Sequence, residues 1–191
     1  MNLIRLTVII SLKNMYKKLI FIFVTIFISN IAFASNSKFM EEINNLAENG
    51  YVDAQYNLAR IYSNGESVDQ DLKLASYWFL RAAEQGNRDA QYQLARMFES
   101  GLGVMVDPNE AFKWYKLSAE QGSIEAQYSL GLAYRFGIGV DQNFTQSLRW
   151  YKSSASKGHS GSQYNLNLLY EEGLATRKDI SDAIKWYRCG R

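Results

Sequence analysis

The 191-residue chain contains one cysteine, one histidine and one proline. With Cys189 alone, no disulfide forms within one chain, and a zinc site needing several Cys or His ligands cannot be assembled. Any Ser-His-Asp triad would depend wholly on His159. That residue stands at the start of a helix without a Cys, an Asp or a second His beside it, which favours a capping or solvent-facing role over catalysis. Excess charge is scarce too: beyond residue 34 the chain carries 17 basic and 19 acidic side chains. The formal +2 belongs to Arg5, Lys13, Lys17 and Lys18, so the body gives a nucleic acid or an anionic membrane no electrostatic support. What remains, 47% hydrophobic and 14% aromatic, is the composition of a folding chain.

Lys17 and Lys18 precede an apolar run from Leu19 to Phe33 that closes on Ala32-Phe33-Ala34. Basic start, short apolar stretch and small-residue site together predict a Sec-type signal peptide over 1–34, cleaved after Ala34. The run is interrupted by Thr25, Ser29 and Asn30 and is shorter than the roughly 20 residues that span a bilayer. A complete signal already starts at Met15, which is therefore the expected start. The expected destination is the periplasm or the outside of a bacterial cell.

Set against itself, the rest of the chain shows a 36-residue period. Trp78, Trp114, Trp150 and Trp186 keep it, as do Gln55, Gln91, Gln127 and Gln163 with Tyr56, Tyr92, Tyr128 and Tyr164 beside them. The copies run 50–85, 86–121, 122–157 and a slightly truncated 158–191, preceded by a predicted capping helix at 38–49. Each half-copy has helical spacing: Ala54, Leu58 and Tyr62 share one face, and Ala75, Phe79, Ala82 and Ala83 another. Gly65, Gly101, Gly137 and Gly173 fall where a left-handed residue ends the first helix. Asp71, Asp107, Asn143 and Asp179 fall at the N-cap of the second, with Pro108 at its first position. A single pair cannot bury both its faces, so stacked pairs forming an all-α solenoid are expected.

The third copy carries Ala126, Leu130, Gly131, Tyr134, Gly137, Gly139, Val140, Trp150, Tyr151, Ala155 and Gly158, a pattern that resembles the Sel1-like repeat, a relative of the tetratricopeptide repeat. The resemblance covers residues 38–191 and implies a right-handed superhelix that binds proteins as an adaptor or regulator. Departures are local: Ser67 stands for the second turn glycine, Ala175-Thr176 for Gly-Val, and Ser162 for Ala. Relatives with Cys-paired repeats are linked to β-lactams, and this chain lacks those cysteines.

Other motifs read as structure. Gly101-Leu102-Gly103 and Gly137-Ile138-Gly139 lack the strand and remaining residues of a phosphate loop. Adjacent Glu171 and Glu172 point apart on a helix end and make a poor acid and base pair. The tryptophans recur too strictly for anything but packing, so they and the turn glycines are structural positions.

Positions that differ between copies define a candidate face on the first helices, which line the concave surface of such solenoids. Copies one and two contribute Asn57, Arg60, Ile61, Gln93, Arg96 and Met97. Copies three and four contribute Ser129, Leu132, Phe136, Asn165, Leu168 and Leu169, an apolar half facing a basic one. The expected function is a non-enzymatic module that binds a protein or peptide there, without cofactor, metal or nucleic acid, and with membrane contact only through the transient signal. An immunity protein against a toxin, a host-interaction factor and a cell-wall or β-lactam-acting enzyme are the alternatives.

Overall fold

The structure is a computed structural model that describes residues 36–66 and 68–174. Expectations for the signal peptide, for Ser67, Ala175, Thr176, Asp179, Trp186 and Cys189, and for the second helix of the fourth copy lie outside these residues. The described residues form eight helices and no strand. The first, α1, runs over 36–48. Then come α2 (Val52–Asn64), α3 (Leu72–Glu84), α4 (Arg88–Ser100), α5 (Pro108–Glu120), α6 (Ile124–Phe136), α7 (Phe144–Ala155) and α8 (Ser160–Glu171). The chain divides into two compact units, Met1–Leu46 and Ala47–Arg191. In the first, Asn44 donates from its side-chain amide to the Met40 carbonyl at 2.7 Å.

Within the second unit each helix packs against the helix before it and the helix after it, and α6 also touches α8. This is an all-α repeat solenoid. The helix ends follow from the residues placed there. Asp71 and Asp107 each accept two backbone N–H groups of the helix they begin, Asn143 accepts one, and Pro108 occupies the first turn of α5. Gly65, Gly101 and Gly137 end α2, α4 and α6 in the left-handed conformation, and Gly173 likewise has a positive φ, of 67°. The N–H of the residue after each reaches back to the carbonyl five residues earlier, as in Leu102 to Met97 at 3.2 Å, which closes a Schellman turn.

The core repeats with the sequence. Leu58, Leu94 and Leu130 are fully enclosed, with Ala54, Ala90 and Ala126 one turn before them. Tyr56, Tyr92 and Tyr128 lie tilted on Phe79, Tyr115 and Tyr151 at 5.9, 5.8 and 6.0 Å, an aromatic pair at the same register in the first three copies. Trp78 and Trp114 are buried and Trp150 half-buried.

The recurring glutamine, to which sequence reasoning gave no role, stitches neighbouring repeats. Gln91 donates to the Ala83 carbonyl of the preceding repeat at 3.1 Å while its carbonyl accepts from Gln121 at 2.8 Å. Gln55 does the same with Ala47 and Gln85 at 3.0 and 2.7 Å. Gln127 donates to Ala119 at 3.1 Å and accepts from Ser153 and Lys157. Both ends of a buried amide are satisfied only when two repeats are stacked, so this residue makes stacking cooperative.

Candidate interaction site

The candidate face divides by position. Asn57, Arg60 and Arg96 are exposed, while Gln93, Ser129, Leu132, Asn165 and Leu168 are half-buried. Ile61, Met97 and Leu169 are not on that face: they are core residues, buried together with Ala133 at the matching position of α6. The reason is helical phase. Residue 61 follows Leu58 by three and Ala54 by seven, which returns it to the buried side at about 100° per residue. Asn165 is engaged in structure as well, donating to the Gly161 carbonyl at 2.9 Å and accepting from Arg135.

Arg60 and Arg96 lie over the rings of Tyr56 and Tyr92, at 5.9 and 6.0 Å from guanidinium carbon to centroid. Each pairing holds a long side chain near its own helix and leaves the guanidinium's edge for an acidic group.

The apolar half of the face opens into a cleft of about 290 Å³ between α4, α5 and α6, whose walls include Glu99, Phe112, Tyr115, Ser129, Leu132 and Phe136. Phe136 is 58% exposed and Ile138, on the turn that follows, 44%. Leu132 also packs against the cluster of Leu148, Tyr151, Leu166 and Leu169 that joins α7 of the third copy to α8 of the fourth, so it serves both groove and core. Tyr115 donates its hydroxyl to a Glu99 carboxylate oxygen at 2.7 Å at the base of the cleft. Burial, helped by Glu99, pushes the Tyr115 hydroxyl well above its ordinary range. Burial likewise pushes Tyr151 up to about 12, with Arg135 pulling the other way.

Arg135 was absent from the candidate residues and is the buried charge of this end. Its guanidinium donates to Asn165 Oδ1 at 2.9 Å and to both Glu172 oxygens at 2.8 and 3.0 Å, tying α6 to the end of α8. Glu172 is thereby a structural acceptor. The residue at this register is Ser63, Glu99, Arg135 and Glu171 in the four copies, and that change of charge was the available signal. His159 caps α8, its Nδ1 accepting from the Ser162 N–H at 3.0 Å, with its ring 4.5 Å from that of Tyr128. Among the described residues no three His, Cys, Asp or Glu side chains gather into a metal site. No helix among them is long and apolar enough to cross a membrane.

Stacked helix pairs, glutamine-stitched and bearing a groove, define a helical-repeat scaffold. The chain belongs to the Sel1 repeat family: the family model described as Sel1 repeat matches residues 52–87, 88–123, 124–159 and 160–190. Repeats of this family generally serve as protein-interaction modules and non-catalytic scaffolds. Among solved structures, a protective antigen of uropathogenic Escherichia coli with an SLR fold is 38% identical, with a TM-score of 0.72 over 78% of this chain and 32% of that one. The chain thus spans about a third of that relative's length. A Sel1 repeat protein from Oxalobacter formigenes is 35% identical, with a TM-score of 0.63 over 68% of this chain and 98% of its own. Cysteine-rich protein B of Helicobacter pylori, 17% identical with a TM-score of 0.51 over 64% of this chain and 93% of its own, shares the fold. No curated protein matches.

Proposed function

We propose that this chain is an exported, non-enzymatic adaptor that holds a protein partner against the first helices of its repeats. The observation that carries the reading is the open apolar cleft at Tyr115, Ser129, Leu132 and Phe136, rimmed by a phenylalanine that is mostly exposed although the Arg135 guanidinium lies 5.3 Å from its ring centroid. An amphipathic partner segment would set its apolar side against Leu132, Phe136 and Leu168 and its acidic side toward Arg60 and Arg96. Ile61, Met97 and Leu169 drop out of that surface because they are buried. Removal of 1–34 would deliver the module to the periplasm or beyond, and intact mass of the exported protein checks this by a start at Ser35.

Capture from envelope and culture fractions with the full chain as bait, alongside Phe136→Asp and Arg60→Glu with Arg96→Glu, tests the adaptor reading. A protein retained by the parent and lost from both variants, with melting curves unchanged, supports it. Equal capture by all three baits removes this face from consideration. Phe136 is preferred to Leu132 for the test because Leu132 also packs on the core between α7 and α8.

A further inference from the structure

A second cleft lies away from the groove, on the second helices. It has a volume of about 510 Å³ and is lined by Lys116 and Glu120 of α5, by Gln146, Arg149 and Trp150 of α7, and by Tyr134 and Asn143. The same register one repeat earlier shows what is unusual about it. There Glu110 takes the Trp114 indole N–H at 3.1 Å and pairs with Lys113 Nζ at 3.1 Å, so carboxylate, indole and cation satisfy one another. In the third copy Gln146 stands for Glu110, Arg149 for Lys113 and Trp150 for Trp114, while Lys116 stands for the apolar Leu80. The carboxylate has gone and a cation has been added. Among the described residues Arg149 and Lys116 make no ion pair, and no hydrogen bond takes the Trp150 indole N–H. Arg149 is held over the Trp150 ring, 5.7 Å from guanidinium carbon to centroid, which keeps cation and indole together.

We infer that this cleft between the second and third repeats is a binding site for a carboxylate, which enters from outside and takes the place that Glu110 occupies one repeat earlier. Two cations against the single Glu120 leave it net positive, and a guanidinium, an ammonium and an indole N–H supply donors suited to one carboxylate. Glu120 adds an acceptor at the same wall, so the fitting ligand carries hydroxyl or N–H donors beside its acid group, as a uronic acid or a glutamyl peptide does. The inference stands apart from the partner groove and does not depend on it.

The test follows the Trp150 indole N–H resonance of the full chain by NMR, assigned with Trp150→Phe. Glucuronate and a glutamate tripeptide blocked at both ends are the probes, with glucuronate methyl ester as the uncharged control. A saturable downfield shift with either acid and none with the ester is expected, and the acid that binds more tightly identifies the source of the carboxylate. Gln146→Glu and Lys116→Leu copy residues that sister repeats already accommodate, so both should fold and both should weaken binding by about tenfold or more. Absence of a saturable shift with both acids at about 10 mM, weaker than the millimolar class, overturns the inference. So does undiminished binding in Gln146→Glu.

Discussion

Gln91 shows how one side chain sets the behaviour of two repeats. Its amide is buried with a partner at each end, so Gln91→Ala removes two hydrogen bonds, one to the Ala83 carbonyl, which keeps the Gly86 N–H at 3.0 Å, and one from the exposed Gln121 amide. A loss of about 1–2 kcal/mol is expected, read as a lower urea midpoint, because each lost hydrogen bond is worth about 1 kcal/mol net and the truncated side chain leaves buried volume unfilled. Exchange of the exposed Asn57 for Ala should leave the midpoint within error. The tyrosines give a pH dependence. Tyr151 ionises in the unfolded chain near pH 10 but in the folded one only near 12, and Tyr115 later still. The folded state therefore binds more protons across that window, and the stability is fully present below about pH 10 and lost as pH rises toward about 12. The last part of the phenolate absorbance near 295 nm, that of the buried tyrosines, should arrive together with loss of helical circular dichroism. The period made the glutamines easy to find in the sequence. Their role was hidden because both partners lie in other helices, 8 residues back and 30 residues on.

At the scale of the element, turn and helix are fitted to one another across repeats. Gly139 has a φ of 67°, and a Cβ there would run into the Pro108 carbonyl at the start of α5 in the preceding repeat. Gly103 meets the Leu72 carbonyl at the start of α3 in the same way. Gly139→Ala should therefore lower stability by about 2–3 kcal/mol, since it adds a clash with backbone to a conformation that only glycine adopts freely. Gly86→Ala is the comparison: its φ is also positive, at 88°, but nothing lies within 4 Å, so about 1 kcal/mol is expected. Thermal melting of both variants checks the order. The helices, their caps and the turn glycines were legible from the sequence because each rests on local spacing. The misplaced Ile61, Met97 and Leu169 came from treating a change of residue identity between copies as a sign of exposure. Ile, Met, Ala and Leu at that register differ in name but are all apolar, and constancy of character marked the core more faithfully than constancy of residue.

For the whole molecule, stacking makes stability a sum of neighbouring interfaces, so damage at one junction should stay there. Glu172→Gln removes the negative charge paired with the buried Arg135 guanidinium while Asn165 still accepts from it, and hydrogen exchange should quicken in α8 by about tenfold while α2 to α5 keep their protection. The adaptor reading is also a statement about this scale, since the groove at Phe136 exists only where the second and third repeats meet. Sequence comparison of the copies located its apolar half at Leu132 and Phe136, yet missed the Tyr115 and Glu99 floor, because a hydrogen bond between α4 and α5 leaves no trace in the period. A photo-crosslinking residue placed at Phe136 of the full chain, with Tyr77 on α3 as the comparison site, tests the adaptor claim most directly. The account predicts one crosslinked protein from position 136, absent from position 77 and lost when Arg60 and Arg96 are changed to Glu. Equal crosslinking from both positions, or none from 136, would contradict it.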